Sequence, residues 1–332
     1  METVLRPMSL GEILDRTATI YRKNFLLLAG ISAIYAGIVM LISLLQLFMN
    51  GYAIHWGLIG KLLVSFGALI ILLPVFLIAG FTVAAINRAV AWIHLNQNAT
   101  IRSAYASVWP RLGRLLWLMF LYALRIYWPI VIAVIPAIVM VVLIPGVRAG
   151  DGTNDMGSLA LMGVLGLLTF VLITGALVYM VWEALRLALS VPSCIVEDLK
   201  ATEALRRSIE LTKGARGRIF VLGLLVAVIQ LGLSFMGMIP FFVFGFRQAM
   251  ANHGQIGIGI QALQQCINFV ITTFVTPIYS TGFMLFYYDQ RVRKEGFDIE
   301  WMMQSAGLGE PVRAVVGATT QPPTAAQPGE AG

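Results

Sequence analysis

The residues through which this chain could do chemistry are few and scattered: 3 histidines, 2 cysteines and 16 carboxylates in 332 residues. His55 and His253 fall in short turns on one side of the hydrophobic segments and His94 in a connection on the other, so they cannot share a metal. Cys194 and Cys266 are expected near opposite faces of the membrane, beyond the roughly 7 Å between Cα atoms that a disulfide allows. No HExxH, CxxC pair, Walker loop or GxSxG occurs. Acid–base catalysis needs titratable groups within reach of one another, and only Glu183 lies well inside an apolar segment, with Asp289 marking the end of the last. No catalytic residue, cofactor or metal site is expected, and the chain is read as not being an enzyme.

One pair of charges stands apart. Arg125 sits in LYALRIYWPIV (121–131), inside an apolar run from Leu115 to Pro145. A charge in a hydrocarbon layer costs a few kcal/mol or more unless it is paired or reaches the interface. If the span is only Ile126 to Pro145, Arg125 snorkels at the surface beside a Tyr127 and Trp128 belt. If the span begins after Arg114, Arg125 lies about 16 Å deep at 1.5 Å per residue and needs a protein partner. Glu183, in VYMVWEALRLAL, lies within about one 5 Å turn of that depth on the next segment, so an Arg125–Glu183 pair is expected. Arg186, three residues on, offers Glu183 a second partner on the same helical face.

A polar stripe is the other candidate. Gln261, Gln265, Asn268, Thr272 and Thr276 follow at helical steps in the last apolar segment, with Gln264 and Thr273 beside them. Pro277 lacks an N–H and frees a carbonyl one turn earlier. Such a face either lines a hydrated path or makes hydrogen bonds between membrane helices, each worth about 1 kcal/mol.

The elements that position these residues follow from composition. Of all residues 59% are hydrophobic and 12% charged, with a mean hydropathy of +0.85; soluble domains carry about 25% charge. This is the composition of a membrane protein. A span needs roughly 20 apolar residues, and six segments qualify: 25–49, 58–86, 115–145, 159–189, 219–246 and 258–288. The polar N-terminal segment has no small-residue cleavage site, so no removable signal peptide is expected. Of the 23 Lys and Arg residues, four precede the first span, four lie in 88–114, seven in 186–218 and four in 291–313. Because basic residues are retained on the cytoplasmic side, both termini and the two long connections are expected there, in a bacterial inner membrane. The net charge of +7 is thereby explained by topology, and nucleic acid is not expected as a partner.

The basic connections also repeat. SLGEILDRTATIYRKNF (9–25), TIRSAYASVWPRLGRLL (100–116) and TEALRRSIELTKGARGRIF (202–220) each lead into a span. In the first, Leu10, Ile13, Leu14, Thr17, Ile20 and Tyr21 share one helical face, and Ser9 with Glu12 has capping-box spacing. The expected fold is all-α: six transmembrane helices as three helical hairpins, each preceded by an amphipathic interfacial helix. Its parts are a cytoplasmic amphipathic segment (1–24), a membrane domain (25–303) with a threefold repeat near 9–99, 100–201 and 202–301, and a disordered tail (304–332). Arg16, Arg22, Lys23, Arg111, Arg114, Arg206, Arg207, Lys213, Arg216 and Arg218 are the candidates for contact with lipid headgroups or a partner.

LRPMSLGEILDRTATIYRKNF, EDLKATEALRRSIELTKGARGRIF and YYDQRVRKEGFDIEWM together resemble the glycerophosphoryl diester phosphodiesterase membrane-domain family, over roughly residues 4–303. The resemblance implies a membrane domain that is sometimes joined to a catalytic barrel. The roughly 250 residues of such a barrel are not expected here, because only about thirty residues follow Trp301. No catalytic residue carries over. The expected function is a non-enzymatic scaffold or accessory subunit that organises membrane lipids or a membrane-protein partner; the oligomeric state is left open. The alternatives are a transporter or channel for a small or lipidic molecule and, third, a membrane domain linked to glycerophosphodiester metabolism.

Overall fold

Ser9 starts the first helix, α1 (Leu10–Lys23), through a complete capping box. Its hydroxyl accepts from the Glu12 N–H at 3.2 Å, and the Glu12 carboxylate accepts from the Ser9 N–H at 2.6 Å. Two of the donors that a helix start leaves unpaired are thereby satisfied. Arg22 and Lys23 in the last turn complement the helix dipole. The computed structural model describes residues 6–53, 57–95, 97–149, 156–251 and 256–305.

Along these residues α2 (Phe25–Ala53), α3 (Gly57–His94), α4 (Ile101–Val108), α5 (Leu112–Ala149) and α6 (Met156–Leu187) follow α1. Then come α7 (Ser190–Val196), α8 (Ala201–Thr212), α9 (Arg216–Pro240), α10 (Phe246–Ala251), α11 (Ile258–Glu295) and α12 (Phe297–Ser305). No strand occurs among the described residues. Six helical stretches are long and apolar enough to cross a membrane, so this is a multi-pass membrane protein. Between α9 and α10, Phe241–Gly245 forms a π-helical turn directly after Pro240, whose missing N–H breaks the regular ladder. The sequence reading of 219–246 as one plain span misses this turn. The proposed tail lies almost wholly outside the described residues.

Three helices are 38 residues long: α3, α5 and α11. At 1.5 Å per residue that is about 57 Å, nearly twice a 30 Å hydrocarbon core. The buried residues of these helices concentrate toward the basic end of each, around Ile86, Leu118 and Phe286. One buried cluster joins Ile13, Leu28, Ile86, Leu222 and Phe286 across α1, α2, α3, α9 and α11. A second joins Ala84, Leu115, Leu118, Ile195 and Leu205 across α3, α5, α7 and α8. Elsewhere the spans present Leu41, Phe66, Phe170 and Phe235 outward, as helices bathed in lipid do.

Successive long helices touch: α2 with α3, α5 with α6, α9 with α11. Helix α11 is the hub, packing also on α1, α2, α3 and α8. In its most apolar window 56% of residues are buried, against 6% for α6 at the periphery. A short helix followed by two long ones recurs three times in the element order, but α7 stands between the second and third instances and α10 divides the two long helices of the third. Hydropathy alone treats residues 190–196 as connection, yet Ser193, Cys194 and Ile195 are buried, wedged against α3 and α8.

The amphipathic helices settle on protein. In α1, Ile13, Thr17 and Ile20 are buried, and the helix packs on α11. In α8, Ala201, Ala204, Leu205, Ser208, Leu211 and Thr212 are buried, and the helix packs on α5, α6, α7 and α11. Their apolar faces are covered by the overhanging ends of the spans, and their polar faces remain outward.

Candidate functional site at the basic end

Carboxylates organise this end. Asp198 is the one non-glycine with positive φ among the described residues, at 54°, a conformation that aspartate tolerates better than most side chains. The turn aims its carboxylate at the start of α5, where it pairs with Arg111 and, at 2.9 Å, with Arg114. Arg114 also donates to the Asp198 carbonyl at 2.7 Å. One residue earlier, Glu197 accepts from Arg207 of α8 at 2.9 Å and from the Tyr287 hydroxyl of α11 at 2.6 Å. Arg207 pairs in addition with Glu295. Burial works against the Arg207 charge, but the Glu197 and Glu295 carboxylates outweigh it and raise its pKa.

Asp289 is fully buried in α11. It accepts from Arg218 at 3.0 Å, from Arg293 at 2.9 Å, from the Met8 N–H at 2.8 Å and from Gln290 at 3.1 Å. The two arginines reach past it to the Met8 carbonyl, at 2.8 and 2.7 Å. A buried carboxylate loses several kcal/mol of hydration, and such multiple charge-assisted bonds are what make its burial tolerable. The result pins the segment before α1 to the first turn of α9 and the last turns of α11.

The charges inside the apolar segments meet as well. Glu183 of α6 is fully buried, while the Arg125 side chain remains 40% exposed; the two form an ion pair. The other Glu183 oxygen pairs with Arg186 at 2.8 Å. Two guanidiniums therefore share one carboxylate, leaving a net positive charge. The exposed part of Arg125 lines a groove of about 930 Å³ between α5 and α8. Leu121, Leu124 and Trp128 supply its apolar wall, and Glu203, Arg206 and Glu210 its charged wall.

The ten basic candidates divide. Arg111, Arg114, Arg207 and Arg218 are held by carboxylates of the chain itself. Arg216 lies over the Trp182 ring at 4.6 Å. Arg16, Arg22, Lys23, Arg206 and Lys213 make no ion pair among the described residues, and of these Arg22, Lys23, Arg206 and Lys213 are exposed. On the stripe, Gln261 donates to the Ile256 carbonyl at 2.8 Å and Gln264 to Asn268 at 3.3 Å. Gln265, Thr272 and Thr276 are half-buried and Asn268 is exposed. The carbonyl that Pro277 frees, that of Thr273, accepts from the Ser32 hydroxyl of α2 at 2.6 Å.

Sequence reasoning missed Met8, Glu197, Asp198 and Tyr287 and gave Asp289 no role. The signal available was an acidic residue embedded in each strongly basic stretch. No group of three or more His, Cys, Asp or Glu side chains among the described residues is arranged to hold a metal. His94 is buried against Tyr288, with ring centroids 5.1 Å apart; His55 and His253 lie outside the described residues.

No curated protein and no solved structure matches this chain. A family model does match, over the stretch that holds Glu183, Glu197, Asp198 and Asp289 but not Met8, Arg111, Arg114 or Arg125. Of the three stretches that carry the resemblance, the second and third fall inside it and LRPMSLGEILDRTATIYRKNF outside. Residues 159–306 match the membrane domain of glycerophosphoryl diester phosphodiesterase.

Proposed function

We propose that this protein is a non-catalytic scaffold of the bacterial inner membrane, with both termini cytoplasmic, that gathers lipid or a membrane-protein partner around its basic end. The observation that carries this reading is the division of the basic residues. Internal carboxylates hold α1, α8 and the span ends in one rigid unit, and Arg22, Lys23 and Lys213 are left on the outward faces of that unit. The family match supports it too, since it concerns the membrane domain and not a catalytic one. A link to glycerophosphodiester metabolism rests on that match alone.

The test uses the full chain in bilayer discs of mixed zwitterionic and anionic lipid, with retained lipid identified after mild detergent extraction. Each basic residue near a membrane surface contributes about 1 kcal/mol to attraction of anionic lipid, roughly fivefold. Arg22→Gln with Lys23→Gln should therefore reduce retained anionic lipid several-fold while insertion and fold are unchanged. Equal retention would refute the scaffold reading. Solute flux through the reconstituted protein that Gln265→Leu or Asn268→Leu impairs would favour transport along α11 in its place.

A further inference from the structure

The groove between α5 and α8 combines an apolar wall with a charged one. Leu124 and Trp128 are 56% and 47% exposed on a membrane-spanning helix, a wall suited to hydrocarbon. Facing them, Glu203, Arg206 and Glu210 recur at steps of three and four along α8 and so share one side of it. Arg125 lines the groove together with both walls, held by Glu183 while its side chain stays partly exposed. Arg206 makes no ion pair among the described residues.

We infer that this groove binds one phospholipid with a primary-amine headgroup, its phosphate between Arg125 and Arg206, its ammonium at Glu203 and Glu210, and an acyl chain along Leu124 and Trp128. The inference deepens the scaffold reading and rests on it for the membrane setting. Charge complementarity selects the occupant. A purely anionic headgroup would meet two carboxylates beside its phosphate, whereas an ammonium turns both into acceptors. A choline headgroup has no N–H to donate to them. The guanidiniums present planar donors that match phosphate oxygens. The volume of about 930 Å³ accommodates a headgroup and the upper part of a chain.

The experiment measures binding of short-chain phosphatidylethanolamine to the full protein in a non-ionic detergent, by the rise in its unfolding temperature with lipid concentration. Phosphatidylcholine, phosphatidylglycerol and chain-free phosphoethanolamine are run in parallel. The ethanolamine lipid should bind most tightly. Arg206→Gln should weaken it about tenfold, as expected for loss of a charge-assisted bond, and Leu124→Trp should weaken it by filling the apolar wall. Glu203→Gln with Glu210→Gln should abolish the preference over phosphatidylglycerol. Equal binding by the Arg206→Gln protein, or equal binding of all three lipids, would overturn the inference. So would phosphoethanolamine binding as tightly as the lipid, which marks a soluble phosphate-ester site, or a co-purifying polypeptide that blocks lipid binding and is lost with Leu124→Trp. Because Arg22 and Lys23 lie outside the groove, a defect in one experiment with the other intact tells failure of the groove from failure of the scaffold.

Discussion

At the scale of residues, the charged groups inside the apolar segments are explained by one another. Glu183 is fully buried and shared by Arg125 and Arg186, so removing either arginine leaves the carboxylate one partner. Removing Glu183 instead leaves two guanidiniums facing each other. Glu183→Ala is therefore expected to destabilise more than Arg125→Ala, and the double variant less than the sum. Groups in direct contact typically couple by about 0.5–3 kcal/mol. Thermal unfolding of the four proteins in detergent measures this, and strictly additive losses would show that the pair contributes nothing as a pair.

At the scale of elements, the amphipathic helices are specified locally and placed globally. The capping box of α1 follows from Ser9 and Glu12, and the structure contains it. The Ser9 backbone and side-chain hydrogen bonds, with Arg6 nearby, hold the Glu12 carboxyl below its ordinary value of 4.5. A carboxyl depressed on folding stabilises above its unfolded pKa and loses that contribution as pH falls through the folded one. Amide exchange at Ser9, corrected for intrinsic rate, should lose protection as pH drops below 4.5, and Glu12→Gln should remove the dependence. Protection that ignores pH would separate the cap from the Glu12 charge. Which face of α1 is covered was legible from the spacing of Ile13, Thr17 and Ile20. That α11 covers it was not, because an amphipathic face docks as readily on lipid as on protein.

At the scale of the molecule, α11 acts as the spine and Asp289 as the tie between distant parts of the chain. It joins Met8 to Arg218 and Arg293, which are remote in sequence. Asp289→Asn would leave two guanidiniums without their shared counter-charge, a change that costs about 3–5 kcal/mol in buried pairs. The expected signature is loss of exchange protection at the Met8 amide and protease cleavage before α1, with the apolar spans still helical. A Met8 amide as protected as before would show that the tie does not depend on the charge.

The sequence by itself determined the helical class, the six apolar stretches, the clustering of most basic residues in four stretches, and the outward and inward faces of α1. These follow from composition and from periodicities of a few residues, which act within a single helix. It also raised the Arg125–Glu183 pairing, because depth along two adjacent segments can be counted. Only the tertiary structure decided that Arg111, Arg114, Arg207 and Arg218 turn inward to Asp198, Glu197 and Asp289, while Arg206 lines a groove and makes no ion pair among the described residues. Basic residues in a connection satisfy the same topological rule whether they face lipid or a carboxylate. Choosing between the two requires the rotation and register of helices that are distant in the chain, and no local pattern encodes it.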